Sequence, residues 1–90
     1  MNITFDQAKR DATLAARGID FADAAQVFAG VTFRFPDDRA DYGEVRMIAV
    51  GHLRGRMVVI VYTDRASGRH VISMRKANDR EQKRFAAFLG

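Results

Sequence analysis

Residues 45–76 read VRMIAVGHLRGRMVVIVYTDRASGRHVISMRK. Three apolar, β-branched runs stand in this stretch, at 45–51, 56–63 and 69–75, and the linkers HLRG and DRASG between them are short and carry glycine. That spacing predicts three strands joined as an antiparallel meander. The middle run, RMVVIVYT, is apolar on both faces and therefore reads as the central, most covered strand.

Upstream, VTFRF (31–35) alternates like a strand and Pro36 ends it, followed by an acidic loop, DDRADYGE (37–44). Residues 7–17, QAKRDATLAAR, predict a helix stopped by Gly18. A second helix follows over FADAAQVFAG, with Asp20 and Asp23 at its start and Phe21, Ala24, Ala25 and Phe28 spaced for one buried face. NITF (2–5) is a short strand candidate. At the far end, Asn78 and Glu81 form a capping-box pair ahead of a helix whose apolar face is Phe85, Phe88 and Leu89. The order is β-α-α-β-β-β-β-α, an α+β domain with an antiparallel sheet whose helices pack on one face. The other face is expected to be bare or covered by a partner.

Ninety residues make one domain spanning 1–90, with a small core. Hydrophobic content of 48% with 29% charged residues is that of a globular chain. There is no cysteine, which excludes disulfides and thiolate metal sites. The longest apolar run, MVVIVY, is far short of the roughly 20 residues of a membrane helix. No secretory signal is visible at the start, so a cytoplasmic location is expected. Residues 1–45 carry five Lys/Arg against eight Asp/Glu, and residues 46–90 carry ten against three. A basic C-terminal half favours an anionic partner, nucleic acid first.

His52 and His70 have no ligand set around them, so no metal or other cofactor is expected. Neither a nucleophile elbow nor a phosphate-binding glycine loop is present. Asp37, Asp38, Asp41 and Glu44 read as a solvated turn. What remains is a set of cations on strands. Strict alternation in HVISMRK puts Val71, Ser73 and Arg75 on one face, and His70, Ile72, Met74 and Lys76 on the other. Arg46, Arg56 and Arg65 lie on or beside neighbouring strands. Converging guanidiniums would grip phosphate, since an Arg fork matches its oxygens. The plainer alternative is scattered surface arginines paired with Glu44, Asp64 or Asp79, each pair worth ~0–1 kcal/mol.

A phosphate grip without a protein nucleophile suits RNA cleavage, where the 2′-hydroxyl attacks its own phosphodiester. The protein then needs only to orient the strand and stabilise charge. Arginine cannot serve as a base. His70 is the first candidate to move the proton, roughly a quarter protonated at pH 7 for a pKa near 6.5. Tyr62 and Lys9 are lesser candidates.

FDQAKR, RGIDFADAAQVFAG, D-Y-G-E-x-R, G-x-L-R-G-R-x-V-V-I-V-Y-T and H-V-I-S-M-R-K-A-N-x-R-E, in this order over residues 3 to 85, resemble the BrnT family of bacterial toxins. The resemblance implies a RelE-like ribonuclease domain, the toxin of a type II toxin–antitoxin pair, which cleaves RNA and arrests translation and growth. It implies a ribbon-helix-helix antitoxin of the BrnA type, and operator DNA bound only through the toxin–antitoxin complex. Its blocks fall on Asp6, Lys9, Glu44, Arg46, Arg56, Tyr62, Arg65, Ser73, Arg75 and Lys76. Ala16-Arg17-Gly18 departs from a K-H-G found in many members. The expected catalytic set is Arg75, Arg65, Arg46, His70 and Tyr62, with Lys9, Arg56, Ser73 and Lys76 binding RNA. A non-catalytic module acting as co-repressor or scaffold with its antitoxin is the alternative.

Overall fold

The computed structural model describes residues 2–90. Its elements are β1 (Ile3–Phe5), α1 (Gln7–Arg17), a 3-10 turn (Phe21–Asp23), α2 (Ala24–Ala29), β2 (Phe33–Pro36), β3 (Met47–Leu53), β4 (Arg56–Arg65), β5 (Gly68–Lys76) and α3 (Asp79–Leu89). The α+β order is the expected one. β2 to β5 form the antiparallel meander, and the five-stranded sheet runs β1-β5-β4-β3-β2. β1 lies parallel to β5 at the far edge, so the sheet is not wholly antiparallel. Its pairing partner lies more than sixty residues away, beyond the reach of any local signal.

Tight turns set the register. Leu53 pairs with Arg56 across Arg54 and Gly55, whose φ values of 49° and 78° are those of a type I′ turn. Gly68 allows β1 to dock: its φ is 138°, and a Cβ there would come within 2.5 Å of the Asn2 carbonyl oxygen.

Both faces of the sheet carry helices, where the sequence suggested one. On the first face Phe21, Ala24, Val27 and Phe28 pack over Ala49, Val58, Ile60, Tyr62, Val71 and Met74. On the second, Phe85 and Leu89 of α3 cover Val50, Met57 and Val59, with Phe33, Phe35 and Ile48 at the margin. RMVVIVY is apolar throughout because it is central and covered twice. Within α2 it is Val27 rather than Ala25 that is buried, because the 3-10 turn shifts the phase of the helical face. None of the residues of α1 is buried, and Arg10 ties this helix to Asp20 through bonds of 2.9 and 2.7 Å. α3 is too short to roof the whole second face, so the end bearing β1 and the upper halves of β4 and β5 stays open.

Candidate functional site

One irregularity decides what the open face presents. Val61 pairs with Ser73 but Tyr62 pairs with Val71, leaving Ile72 as the extra residue of a β-bulge. Strict alternation would put His70 among the helix-facing residues. The bulge reverses that phase: Val71 joins Met74 in the first core, and His70 shares the open face with Ser73 and Arg75. Thr63 lies opposite His70 on one side and Thr4 on the other. Arg46, one residue before β3 begins at the Met47–Tyr62 pair, continues the same row just outside the strand.

His70 is half-buried, and its Nδ1 lies 2.9 Å from the Thr4 hydroxyl. Among the described residues its Nε2 has no hydrogen-bond partner. Burial pushes its pKa below the usual histidine value, and the charges of Arg65 and Lys9 push the same way against Glu44 and Asp6. The ring is therefore held neutral at neutral pH and can accept a proton. Lys9 is placed there by the N-cap of α1, where the Asp6 carboxylate accepts from the Lys9 backbone N–H at 2.9 Å. Arg65 donates to both Glu44 oxygens at 3.1 and 3.2 Å, and the Arg46 guanidinium lies 4.0 Å from the centre of the Tyr42 ring. Thr63 donates to the Val45 carbonyl at 2.7 Å, fixing the segment that carries Arg46 into β3.

Arg75 stands on this face but not in this group. Four residues of β5, the bulge among them, separate it from His70, and their partners Val59 and Thr63 stand four positions apart on β4, about 13 Å at the usual strand rise. Its anion belongs to the protein: the guanidinium forks onto Glu81 at 2.7 and 2.8 Å. Glu81 completes the capping box of α3 by accepting from the Asn78 backbone N–H, and the Arg75 fork draws its pKa down to about 2. Arg75 lines a cleft of about 200 Å³ between α3 and the loop after β2, together with Arg39, Arg84, Phe35 and Phe85.

Three expected site residues lie elsewhere. Tyr62 faces the first core, 2% exposed, with Phe28 edge-on at 5.0 Å and the Arg69 guanidinium 4.5 Å from its ring centre. It cannot share a proton path with His70, because the sheet lies between them. Arg56 also stands on that first face, beside a second cavity of about 220 Å³ bounded by Gly18 and Ile19. Lys76, paired with Val58, points the same way. Even-numbered β4 positions all look toward α2, which period-two counting alone could have revealed for Tyr62 and Arg56.

Thr4, Arg39, Arg84 and Glu81 complete the two ends of the open face, and sequence reasoning missed them as site residues. Thr4 needs the parallel β1–β5 pairing to be found, while Arg39 sat inside a loop judged by its acids. Asp37 of that loop is no solvated turn residue: its side chain is fully covered and its pKa lowered by the fork from Arg39. Among the described residues, no cluster of three or more His, Cys, Asp or Glu is placed to hold a metal ion. No described helix is long and apolar enough to cross a membrane.

A neutral imidazole with a free nitrogen, set among guanidinium and ammonium groups on an open sheet, can move a proton beside a bound phosphate. No curated protein matches the chain. Residues 5–81 match a family model described as "Ribonuclease toxin, BrnT, of type II toxin-antitoxin system".

Proposed function

The chain belongs to the BrnT family of ribonuclease toxins of type II toxin–antitoxin systems, and on that footing we propose that it cleaves RNA without a metal, at the open sheet end around His70. Type II membership means that a protein antitoxin neutralises it. A BrnA-type ribbon-helix-helix antitoxin, operator DNA bound through that complex, arrest of translation and growth, and a cytoplasmic setting complete the proposal.

In the proposed reaction the 2′-hydroxyl attacks the adjacent phosphorus, forming the 2′-O–P bond and breaking the P–5′-O bond. The 2′-proton passes to Nε2 of His70 and is returned to the departing 5′-oxygen, leaving a 2′,3′-cyclic phosphate and a 5′-hydroxyl. Thr4 holds the ring by Nδ1. Arg65, Arg46 and Lys9 supply positive charge where the phosphorane gains negative charge, the kind of electrostatic help worth ~3–4 kcal/mol per well-placed donor. Arg75 and Ser73 bind the strand further along β5, and neither Tyr62 nor Arg56 takes part. The bulge at Ile72, which brings His70 beside Thr4 and Arg65, is the observation that carries this reading.

The test is incubation of purified protein with single-stranded RNA in EDTA. Discrete fragments are expected from the wild type, and His70→Gln should retain the fold while losing about 100-fold or more in rate, the usual contribution of a proton-transfer group. A folded His70→Gln protein that cleaves as fast as wild type would sink the assignment. One observation favours a second reading, a binding module without catalysis: Arg65 and Arg75 are each already held by a carboxylate of the same chain. That reading predicts intact RNA and a salt-sensitive mobility shift.

A further inference from the structure

We propose that the edge of the molecule formed by β2 and α3 is the docking surface for the antitoxin, and that it receives an acidic amphipathic helix; this rests on the toxin–antitoxin reading above. β2 is the outermost strand at the end of the sheet away from β1. Phe33 and Phe35 look from it toward α3 and stack there on two rings of the helix. Phe33 lies on Phe88 with ring centres 4.4 Å apart, and Phe35 on Phe85 at 5.9 Å. Phe85 is buried by this arrangement, but Phe88 stays 56% exposed, and Phe33 and Phe35 are only half-buried. A single exposed ring on a surface is ordinary, whereas contiguous apolar rings on one rim mark a contact site.

Charge identifies the occupant. Arg80, Arg84 and Phe88 stand four residues apart, so they form one exposed stripe along α3, beside the inward stripe of Phe85 and Leu89. Among the described residues, Arg80, Lys83 and Arg84 have no carboxylate partner. A second copy of the chain would set these cations against each other, while an acidic partner pairs them. The stripe spans about 12 Å at the helical rise. An apolar anchor seated on Phe88 and Phe33 therefore puts carboxylates one and two turns along its own helix opposite Arg84 and Arg80. The edge also selects a helix over a strand. Asp37 donates its N–H to the Arg46 carbonyl at 2.8 Å, so alternation turns the backbone groups of Phe33 and Phe35 toward β3 and those of Arg34 and Pro36 outward. Proline has no N–H, which makes this short edge a poor template for an added strand. Side chains are what it offers, as in the docking of an amphipathic helix. RNA is the poorer fit, because three strand spacings, about 14 Å, separate β2 from the β5 strand that carries His70 and Arg75.

The experiment measures binding of the purified toxin to the antitoxin encoded with it, by calorimetry at low and high salt, beside RNA cleavage by the free toxin. Phe88→Ser should keep the amide spectrum and cleavage rate of wild type while weakening the antitoxin roughly 30-fold, the loss expected of an aromatic anchor. Arg80→Glu, a change that suits a helix N-terminus, should weaken binding at low salt and flatten its salt dependence. Leu14→Ser, on α1, should leave the affinity unchanged. Wild-type affinity in either folded rim variant would overturn the proposal. So would slower RNA cleavage by folded Phe88→Ser, which would give the rim to RNA, or a toxin dimer that Phe88→Ser dissociates, which would give it to a second copy. An antitoxin that binds wild type and both rim variants alike would defeat the docking surface alone, whereas one that fails to bind wild type would defeat the pairing itself.

Discussion

An imidazole half-buried beside Arg65 and Lys9 gives up its proton more readily than one in water, and that decides the pH behaviour of the site. Since the folded pKa of His70 lies below the ordinary 6.5, the ring is neutral in both folded and unfolded chains above that value. Its stability contribution is complete there and is lost as pH falls through the lower folded pKa. Arg65→Gln removes a cation and frees Glu44, and both changes favour imidazolium. The His70 pKa should therefore rise, read from the ring proton shifts by NMR, and the acid limb of the RNA-cleavage rate should move up by the same amount. An unmoved titration would mean that Arg65 does not act on His70. Arg65, Arg75 and His70 could be chosen from the sequence because so few residue types can bind or activate a phosphodiester. What each one touches could not, because Glu44 lies twenty-one residues from Arg65 and only the folded chain brings them together.

Strand and helix positions were legible because period-two runs, glycine turns and capping residues are local signals, and the three meander strands fall where VRMIAVG, RMVVIVYT and RHVISMR place them, to within a few residues. Two non-local features were not, and both bear on the site. The bulge at Ile72 inverts the facing of His70, and β1 crosses to the far edge of the sheet with Thr4. Gly68 is the hinge of that second feature. Replacing it with alanine puts a Cβ against the Asn2 carbonyl at a φ of 138°, a backbone strain of about 1–3 kcal/mol. Only three residues of β1 pair with β5, so β1 should release before the rest of the sheet yields. Hydrogen exchange should then show lost protection at Thr4 and Phe5 with β3 and β4 unchanged, and RNA cleavage should fall because Thr4 no longer holds His70. Unchanged protection at those amides would show that β1 does not depend on a glycine here.

Across the whole molecule, the contrast between an acidic first half and a basic second half does not become two opposed surfaces. Folding interleaves them: Asp23 holds Arg54 and Glu44 holds Arg65. Likewise the expectation of a bare sheet face held only for one end, because Phe85 and Leu89 needed a surface to bury against and the far side of RMVVIVY supplied it. Such interleaving makes carboxylates the acid-labile part of the fold. Asp20, Asp37 and Asp64 are all held below the ordinary aspartate range, chiefly by arginine hydrogen bonds, and Glu81 lies at about 2. A depressed folded pKa means stability that is fully present above the unfolded value and lost as pH falls through the folded one. For Glu81 that window runs from about 4.5 down to about 2. Arg75 is 40% exposed, so solvent screening reduces the contribution of the pair to about 1–2 kcal/mol. Thermal unfolding should accordingly lose a little Tm below about pH 6.5, as His70 meets its unfolded pKa, and then fall steeply below roughly pH 5. Glu81→Gln keeps an oxygen for the Asn78 cap but cannot ionise, so it should lower Tm at pH 7 and converge with wild type near pH 2. A variant whose deficit stayed constant across that window would show that Glu81 acts through packing and the cap alone, leaving Arg75 free to meet a phosphate at little cost.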